Sequence, residues 1–154
     1  MDIKILAVGK IKENWLRQGI AEYTARIARY CNVEICELQD CPESNDIGKD
    51  LETEASRITS KIKSGDQVIV LDRTGVPADS VQLAGKLSSW MEKGGASVTF
   101  IIGGSNGLSS GILERADAIV SFSSLTFPHR LMRLILLEQI YRSFKIINNE
   151  KYHK

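Results

Sequence analysis

The sequence predicts a single α/β domain built on a parallel β-sheet with helices on both faces. Three observations carry this. Short, almost continuously apolar runs alternate with longer runs of helical period along all 154 residues, the pattern of strands buried on both faces and joined by helical crossovers. Glycine, proline and polar turn residues stand at the junctions. No internal repeat and no low-complexity linker divides the chain, so we place one domain over residues 1–154.

Taken in order, Ile3–Val8 reads as a buried strand ending at Gly9. Leu16, Ile20, Tyr23 and Ile27 then recur at helical spacing and share one face. Val33–Leu38 reads as the second strand. The acidic stretch from Glu37 to Glu54, containing Pro42, reads as an exposed loop running into a helix marked by Ile47, Leu51, Ala55, Ile58 and Ile62 and closed by Gly65. Gln67–Leu71 is the third strand, stopped by the turn residues Asp72–Pro77. Leu83, Leu87, Trp90 and Met91 mark a helix ending at Gly94-Gly95. Val98–Ile102 is the fourth strand and leads directly into Gly103-Gly104. A short helix around Ile112–Arg115 precedes a fifth strand, Ala118–Phe122. The last helix runs from Pro128 to Ile147 and is followed by a polar tail.

That last helix carries Leu131, Met132, Leu134, Ile135, Leu136, Leu137, Ile140, Tyr141, Phe144, Ile146 and Ile147, more than one apolar stripe. It therefore needs cover on two sides. A second subunit packed isologously supplies that cover more readily than the interior of a monomer.

Composition excludes several classes. With 43% hydrophobic and 25% charged residues the chain is neither collagenous nor disordered. No apolar run approaches the roughly 20 residues that span a bilayer, and MDIKILAVGK lacks the features of a secretory signal. A soluble, cytoplasmic protein with no membrane association is expected. The net charge of +1 hides an asymmetry: 6 basic and 3 acidic side chains in 1–30, 8 and 14 in 31–124, and 6 and 2 in 125–154. The positive ends suit a polyanionic partner, although a solvated helix face with a frayed tail has the same charge. Cys31, Cys36 and Cys41 are odd in number, evenly spaced and far from His129 and His153. Neither a disulfide framework nor a zinc site is expected, and no metal is assigned.

In parallel α/β proteins ligands bind at the carboxyl ends of the strands, which directs attention to Leu71–Gly75, Gly103–Ser110 and Phe122–His129. The run Ile101-Ile-Gly-Gly-Ser-Asn-Gly-Leu108 lets a backbone approach a ligand closely. It is neither a dinucleotide fingerprint nor a Walker loop. The run Ser121 to Arg130 offers amides and hydroxyls before a helix starts at Pro128. Arg130 and Arg133, three apart in that helix's first turn, suit a phosphate. No Ser-His-acid order or paired carboxylates argue for hydrolysis.

Four segments together resemble one family: Ile5-Leu-Ala-Val-Gly-Lys10, Phe100-Ile-Ile-Gly-Gly-Ser-Asn-Gly-Leu108, the run Ser121 to Arg133 with Thr126-Phe-Pro-His129, and the terminal Tyr152-His-Lys154. They look like the small SPOUT-class enzymes of the 23S rRNA (pseudouridine-1915-N3)-methyltransferase family, and the resemblance covers essentially the whole chain. It implies a sheet whose C-terminal part, about 67–147, is threaded into a trefoil knot, a feature no periodicity reveals. It implies S-adenosylmethionine as methyl donor, a homodimer, and 23S rRNA, displayed by the assembled ribosome, as substrate. Carried over position by position, the cofactor contacts fall on Leu71, Gly103, Phe122, Ser123, Ser124, Leu125, Thr126 and Phe127. The tail 148–154, with Tyr152, His153 and Lys154, helps build the active site beside His129, from a subunit the sequence does not identify. Lys154 stands where some relatives carry Arg, and Lys keeps the charge but loses the bidentate fork. Arg130, Arg133 and Arg142 are expected to hold rRNA phosphates. Two other readings of the same motifs are a non-catalytic RNA-binding or ribosome-associated protein of this fold, and a generic nucleotide-binding protein.

Overall fold

The computed structural model describes residues 2–41, 44–93 and 95–154; the loop residue Pro42 and the helix-closing Gly94 lie outside the described residues. The elements follow in the order β1 (Asp2–Val8), α1 (Asn14–Ile27), β2 (Val33–Leu38), α2 (Ile47–Thr59), β3 (Gln67–Pro77), α3 (Ser80–Glu92), β4 (Ser97–Ile102), α4 (Ser110–Arg115), β5 (Ala118–Ser121) and α5 (His129–Ile147). The strands form one parallel sheet in the order β2-β1-β4-β3-β5.

Alternation along the strands sorts the core into two layers. Ile3, Ile5 and Ala7 of β1, Ile69 of β3, and Val98, Phe100 and Ile102 of β4 point to the face covered by α1, α3 and α5. Leu6, Val8, Val68, Val70 and Ile101 point to the other face, with Ala55 and Ile58 of α2 and Ile112 of α4. Side chains therefore switch face at every residue, as the pleat requires. Helix starts are fixed locally: Asp46 accepts from Lys49 N–H at 3.0 Å, and Asp79 and Gln82 make a reciprocal capping box.

Two expectations are corrected. First, β3 does not stop at Leu71 but runs on to Pro77. It pairs with β5 through Ile69–Leu71 and again through Val76 and Pro77, with a bulge between Leu71 and Val76. Asp72 accepts from Thr74 N–H at 2.9 Å inside the bulge, so a turn signature sits within a strand. Pairing beyond Leu71 is with β5 alone, so the N–H that Pro77 lacks interrupts no ladder with β4. Second, α2 ends at Thr59, leaving Ile62 beyond the helix and Ile47 exposed; Gly65, at φ +89°, shapes the turn into β3 instead. As for α5, only part of its apolar surface is covered within one chain. Leu136, Leu137, Ile140, Tyr141 and Phe144 are buried, whereas Leu131, Met132, Leu134 and Ile135 remain half-buried.

Among the described residues no helix is long and apolar enough to cross a membrane. The three cysteines are free.

Candidate active site

The carboxyl ends of β3, β4 and β5 open into a cleft of about 1130 Å³, slightly larger than the usual small-molecule site of about 300–1,000 Å³. Three segments form it: the β3 bulge, the loop after β4 and the loop between β5 and α5. All eight residues expected to contact the cofactor line it: Leu71, Gly103, Phe122, Ser123, Ser124, Leu125, Thr126 and Phe127. His129 lines it as well.

Glycine makes the β4 wall feasible. The loop turns back on itself with Gly107 N–H donating to Gly104 C=O at 3.1 Å. A Cβ on Gly103 would sit 2.6 Å from the Gly107 carbonyl oxygen and 2.9 Å from Leu108 Cγ, so only glycine allows this closure. Gly75 is similarly constrained at the opposite wall, where a Cβ would lie 2.6 Å from the Ile119 carbonyl carbon of β5. The β5–α5 loop is shaped by its own hydroxyls: Ser121 Oγ donates to Ser123 C=O at 3.1 Å, and Ser123 Oγ accepts from Leu125 N–H at 2.9 Å. This fold leaves Leu125 67% exposed at the cleft. Arg73 ties the bulge to this loop by donating to Thr126 Oγ1 at 3.0 Å. The N-cap of α5 is Pro128, with no side-chain cap, so the first-turn amides are not spent on one.

His129 is half-buried where α5 begins. Burial, reinforced by the neighbouring charges of Arg130 and Arg133, pushes its pKa below the ordinary imidazole value of 6.5, while Asp40 acts weakly in the other direction. The ring is consequently neutral at pH 7. Asp72 is the only carboxylate among the described lining residues.

The remaining site expectations land elsewhere. Arg133 is only 1% exposed. It donates from Nη1 to Glu37 Oε2 at 2.7 Å and from Nη2 to Gly9 C=O at 3.0 Å. Its charge is committed inside the protein, which corrects the expectation of a phosphate contact. Arg142 is tied to Glu138 through Nε at 3.0 Å and Nη2 at 2.6 Å, and its guanidinium lies 4.7 Å from the Tyr152 ring centroid. Tyr152 donates to Glu138 Oε1 at 3.2 Å and packs edge-on against Tyr141. Burial and the nearby Tyr23 and Glu138 raise its pKa, so the phenol stays protonated. His153 Nδ1 lies 3.4 Å from Arg142 Nη1, and Lys154 is exposed. The tail thus docks on the second half of α5, roughly 13–20 Å along the helix from His129 at 1.5 Å per residue. Within one chain it does not join the cleft.

Sequence reasoning missed Arg73, the bulge it anchors, and both arginine–glutamate ties. Arg133 and Glu37 are 96 positions apart, and no local pattern signals such a pair. A Glu four residues before an Arg, as in Glu138 and Arg142, is a readable helix signal.

A parallel α/β sheet, with a glycine-walled cleft above its strand ends and a hydroxyl-rich loop leading into a helix, defines a protein built around a small-ligand crevice. Within that class, the chain belongs to the SPOUT methyltransferase family, whose model, described as "Predicted SPOUT methyltransferase", matches residues 1–153. The chain is 48% identical over 159 aligned residues to "Ribosomal RNA large subunit methyltransferase H" of Acetivibrio thermocellus, with all of both chains covered. It is 51% identical to the "Putative ribosomal RNA large subunit methyltransferase H" of Methanococcus maripaludis, again over the full length of both. A solved "Probable Methyltransferase" from Bordetella pertussis shares the fold at a TM-score of 0.59 and 9% identity, covering 92% of this chain and 93% of its own. A probable methylase family protein from Haemophilus influenzae does so at 0.55 and 13%, covering 99% and 70%.

Proposed function

We propose that this protein transfers the methyl group of S-adenosylmethionine to N3 of a pseudouridine in 23S ribosomal RNA, the position 1915 type, and does so as a homodimer. The observation that carries the reading is that one cleft collects all eight expected cofactor residues and His129 from three separate segments. Family membership and the names of the full-length relatives support it.

The cleft suits such a donor. Leu71, Leu125 and Phe127 offer apolar walls, the Gly103 and Ser123–Thr126 loops offer backbone and hydroxyl groups, and Asp72 offers a carboxylate to a cationic ligand. When bound, the sulfonium supplies an activated methyl group carrying its own leaving group. The chain's task is then alignment and proton removal. The fixed loops hold a nucleobase edge against the donor, and alignment accounts for much of the rate. His129, kept neutral by its surroundings, serves as acceptor for the imide proton, a role worth about 10²–10⁴-fold.

The tail supports the dimer. Tyr152 and His153 pack far along α5 from their own cleft, while one side of that helix keeps Leu131, Leu134 and Ile135 half-buried. A partner seated on this side covers those residues and receives the tail at its own cleft. Residues 67–147 form the knotted cofactor part in this reading, with which the close approach of Gly75 to the β5 backbone is consistent.

Mass spectrometry of rRNA nucleosides tests the proposal. Ribosomes from a deletion strain, incubated with the protein and S-adenosylmethionine, are expected to gain N3-methylpseudouridine. A chain ending at Lys151 should bind the donor yet lose methyl transfer by at least about 10²-fold, the scale of a lost acid–base or positioning group. Donor binding without transfer by the intact protein would instead favour a non-catalytic RNA-binding role.

A further inference from the structure

The turn between β1 and α1 contributes nothing to the cleft lining, yet it is held more firmly than a solvent-exposed connection requires. Gly9 C=O accepts from the buried Arg133, and Ile11 N–H donates to Glu37 Oε2 at 2.8 Å, the same oxygen that Arg133 grips. Ile11 C=O accepts from Arg17 Nε at 3.1 Å and Nη2 at 2.8 Å. Residues 9 and 11 are thereby drawn inward, and both are buried. The alternate residues, Lys10 and Lys12, are exposed, and neither ammonium has an ion-pair partner among the described residues.

Three further features lie close to this turn in the chain or in space. Arg130 reaches the turn: a Cβ on Gly9 would lie 3.9 Å from its Nε, and that Nε is buried without a partner among the described residues. Trp15, in the first turn of α1 and three residues beyond Lys12, is 61% exposed and presents an accessible indole. The turn also adjoins the cleft, because His129 Nε2 would lie 3.4 Å from the same Gly9 Cβ. The acids facing the cluster are Glu13, whose carboxyl accepts from Lys12 N–H, Glu37, paired with Arg133, and Asp40 near His129.

We infer that Lys10, Lys12 and Arg130 form a phosphate-gripping site for the RNA strand that leads into the cleft, with Trp15 as the platform on which a flanking base stacks. The inference rests on the rRNA-methylation reading and deepens it. Unpaired cations on a braced turn contact a polyanion without paying to order the turn first. An exposed indole three residues along the chain from Lys12 suits unpaired bases, which offer a π-face whatever their identity. Arg133 acts here as a positioning residue: it holds the turn and touches no phosphate.

The test uses the full-length protein and deletion-strain ribosomes, comparing wild type, K10A/K12A, K10R/K12R and W15A. For K10A/K12A we expect the KM for ribosomes to rise about 10- to 100-fold at 150 mM salt. We expect the slope of log kcat/KM against log salt to become shallower by about one to two. K10R/K12R should restore both values. W15A should lose about tenfold in kcat/KM with the salt slope unchanged. S-adenosylmethionine affinity, read by calorimetry, should stay at the wild-type value in all of them. Wild-type KM and slope in K10A/K12A would overturn the inference, as would a parallel loss of donor affinity, since the turn would then be acting on the cleft. A wild-type protein that methylates nothing would instead defeat the functional proposal.

Discussion

The two ends of the sheet each bury a cation, and they treat it differently. At the amino-terminal end Lys4, 7% exposed, donates to Asp66 Oδ2 and to the Lys61 carbonyl, both at 3.2 Å. Asp66 also accepts from Lys63 N–H and Ser97 Oγ at 2.9 Å, and Ser97 continues to Thr99 at 3.1 Å. At the carboxyl end Arg133 satisfies Glu37 and Gly9, yet its Nε and that of Arg130 have no partner among the described residues. The glycine loops and an uncapped helix start lie beside them. The lower end closes a network and anchors three strands. The upper end spends its polar groups on holding turns apart, leaving room for ligands. A single sheet is thus a fixed floor and a receptive roof, in accord with where parallel α/β folds bind.

The largest effect expected from breaking this contrast comes from D66A. It strands the Lys4 ammonium in the interior, and loss of one member of a buried pair costs about 3–5 kcal/mol. Urea unfolding should show that loss, while donor affinity per folded molecule stays unchanged. A drop in donor affinity would mean that the two ends are not independent. The same carboxyl gives a pH signature. Burial opposes its ionised form, but the hydrogen bonds from Lys63, Ser97 and Lys4 prevail and hold its pKa below 3.8. Its contribution is therefore present above that value and is lost as pH falls through the lower, folded pKa.

G103A probes the roof and should act in the opposite proportion. The added methyl must displace the Gly107 carbonyl or Leu108, which costs about 1–3 kcal/mol as overpacking. Its main effect should be on the ligand, with donor affinity falling by about tenfold or more because the loop's backbone groups shift together. Calorimetry beside thermal unfolding separates the two. Full donor affinity in G103A would show that the β4 loop is only a turn.

The same contrast explains what the sequence made legible. The strands and the longer helices announced themselves through apolar period, because burial on two faces writes a local pattern: Ile3–Val8 and Val98–Ile102 are apolar runs interrupted only by Lys4 and Thr99, and Leu83, Leu87 and Trp90 fall on one stripe. The cleft's glycines and hydroxyls were visible as composition at strand ends. What stayed hidden depends on distant partners. The Asp72–Pro77 segment reads as a stop because its turn residues are local, whereas its return to the sheet is dictated by Val120 and Ser121. Arg133 reads as a surface cation because nothing nearby reveals Glu37. The tail's placement follows from Glu138 and Tyr141, contacts that only the folded α5 brings within reach.

The smallest effect, and the sharpest test of the roof's electrostatics, is the titration of His129. Its folded pKa lies below 6.5 because burial and two arginines disfavour the imidazolium. Between the folded and unfolded values the unfolded chain binds a proton that the native protein does not, so stability rises with pH across that window and levels off above it. Only two histidines are present, so imidazole C–H resonances followed by NMR, with H129Q for assignment, give the value directly. We expect a midpoint below 6.5 for His129, moving up toward that value in R130Q as one opposing charge is removed. H129Q should also flatten the rise of stability with pH below 6.5. A midpoint clearly above 7 would place a cation in the cleft at neutral pH. It would remove His129 as the neutral proton acceptor and leave that task to a group delivered from outside the subunit.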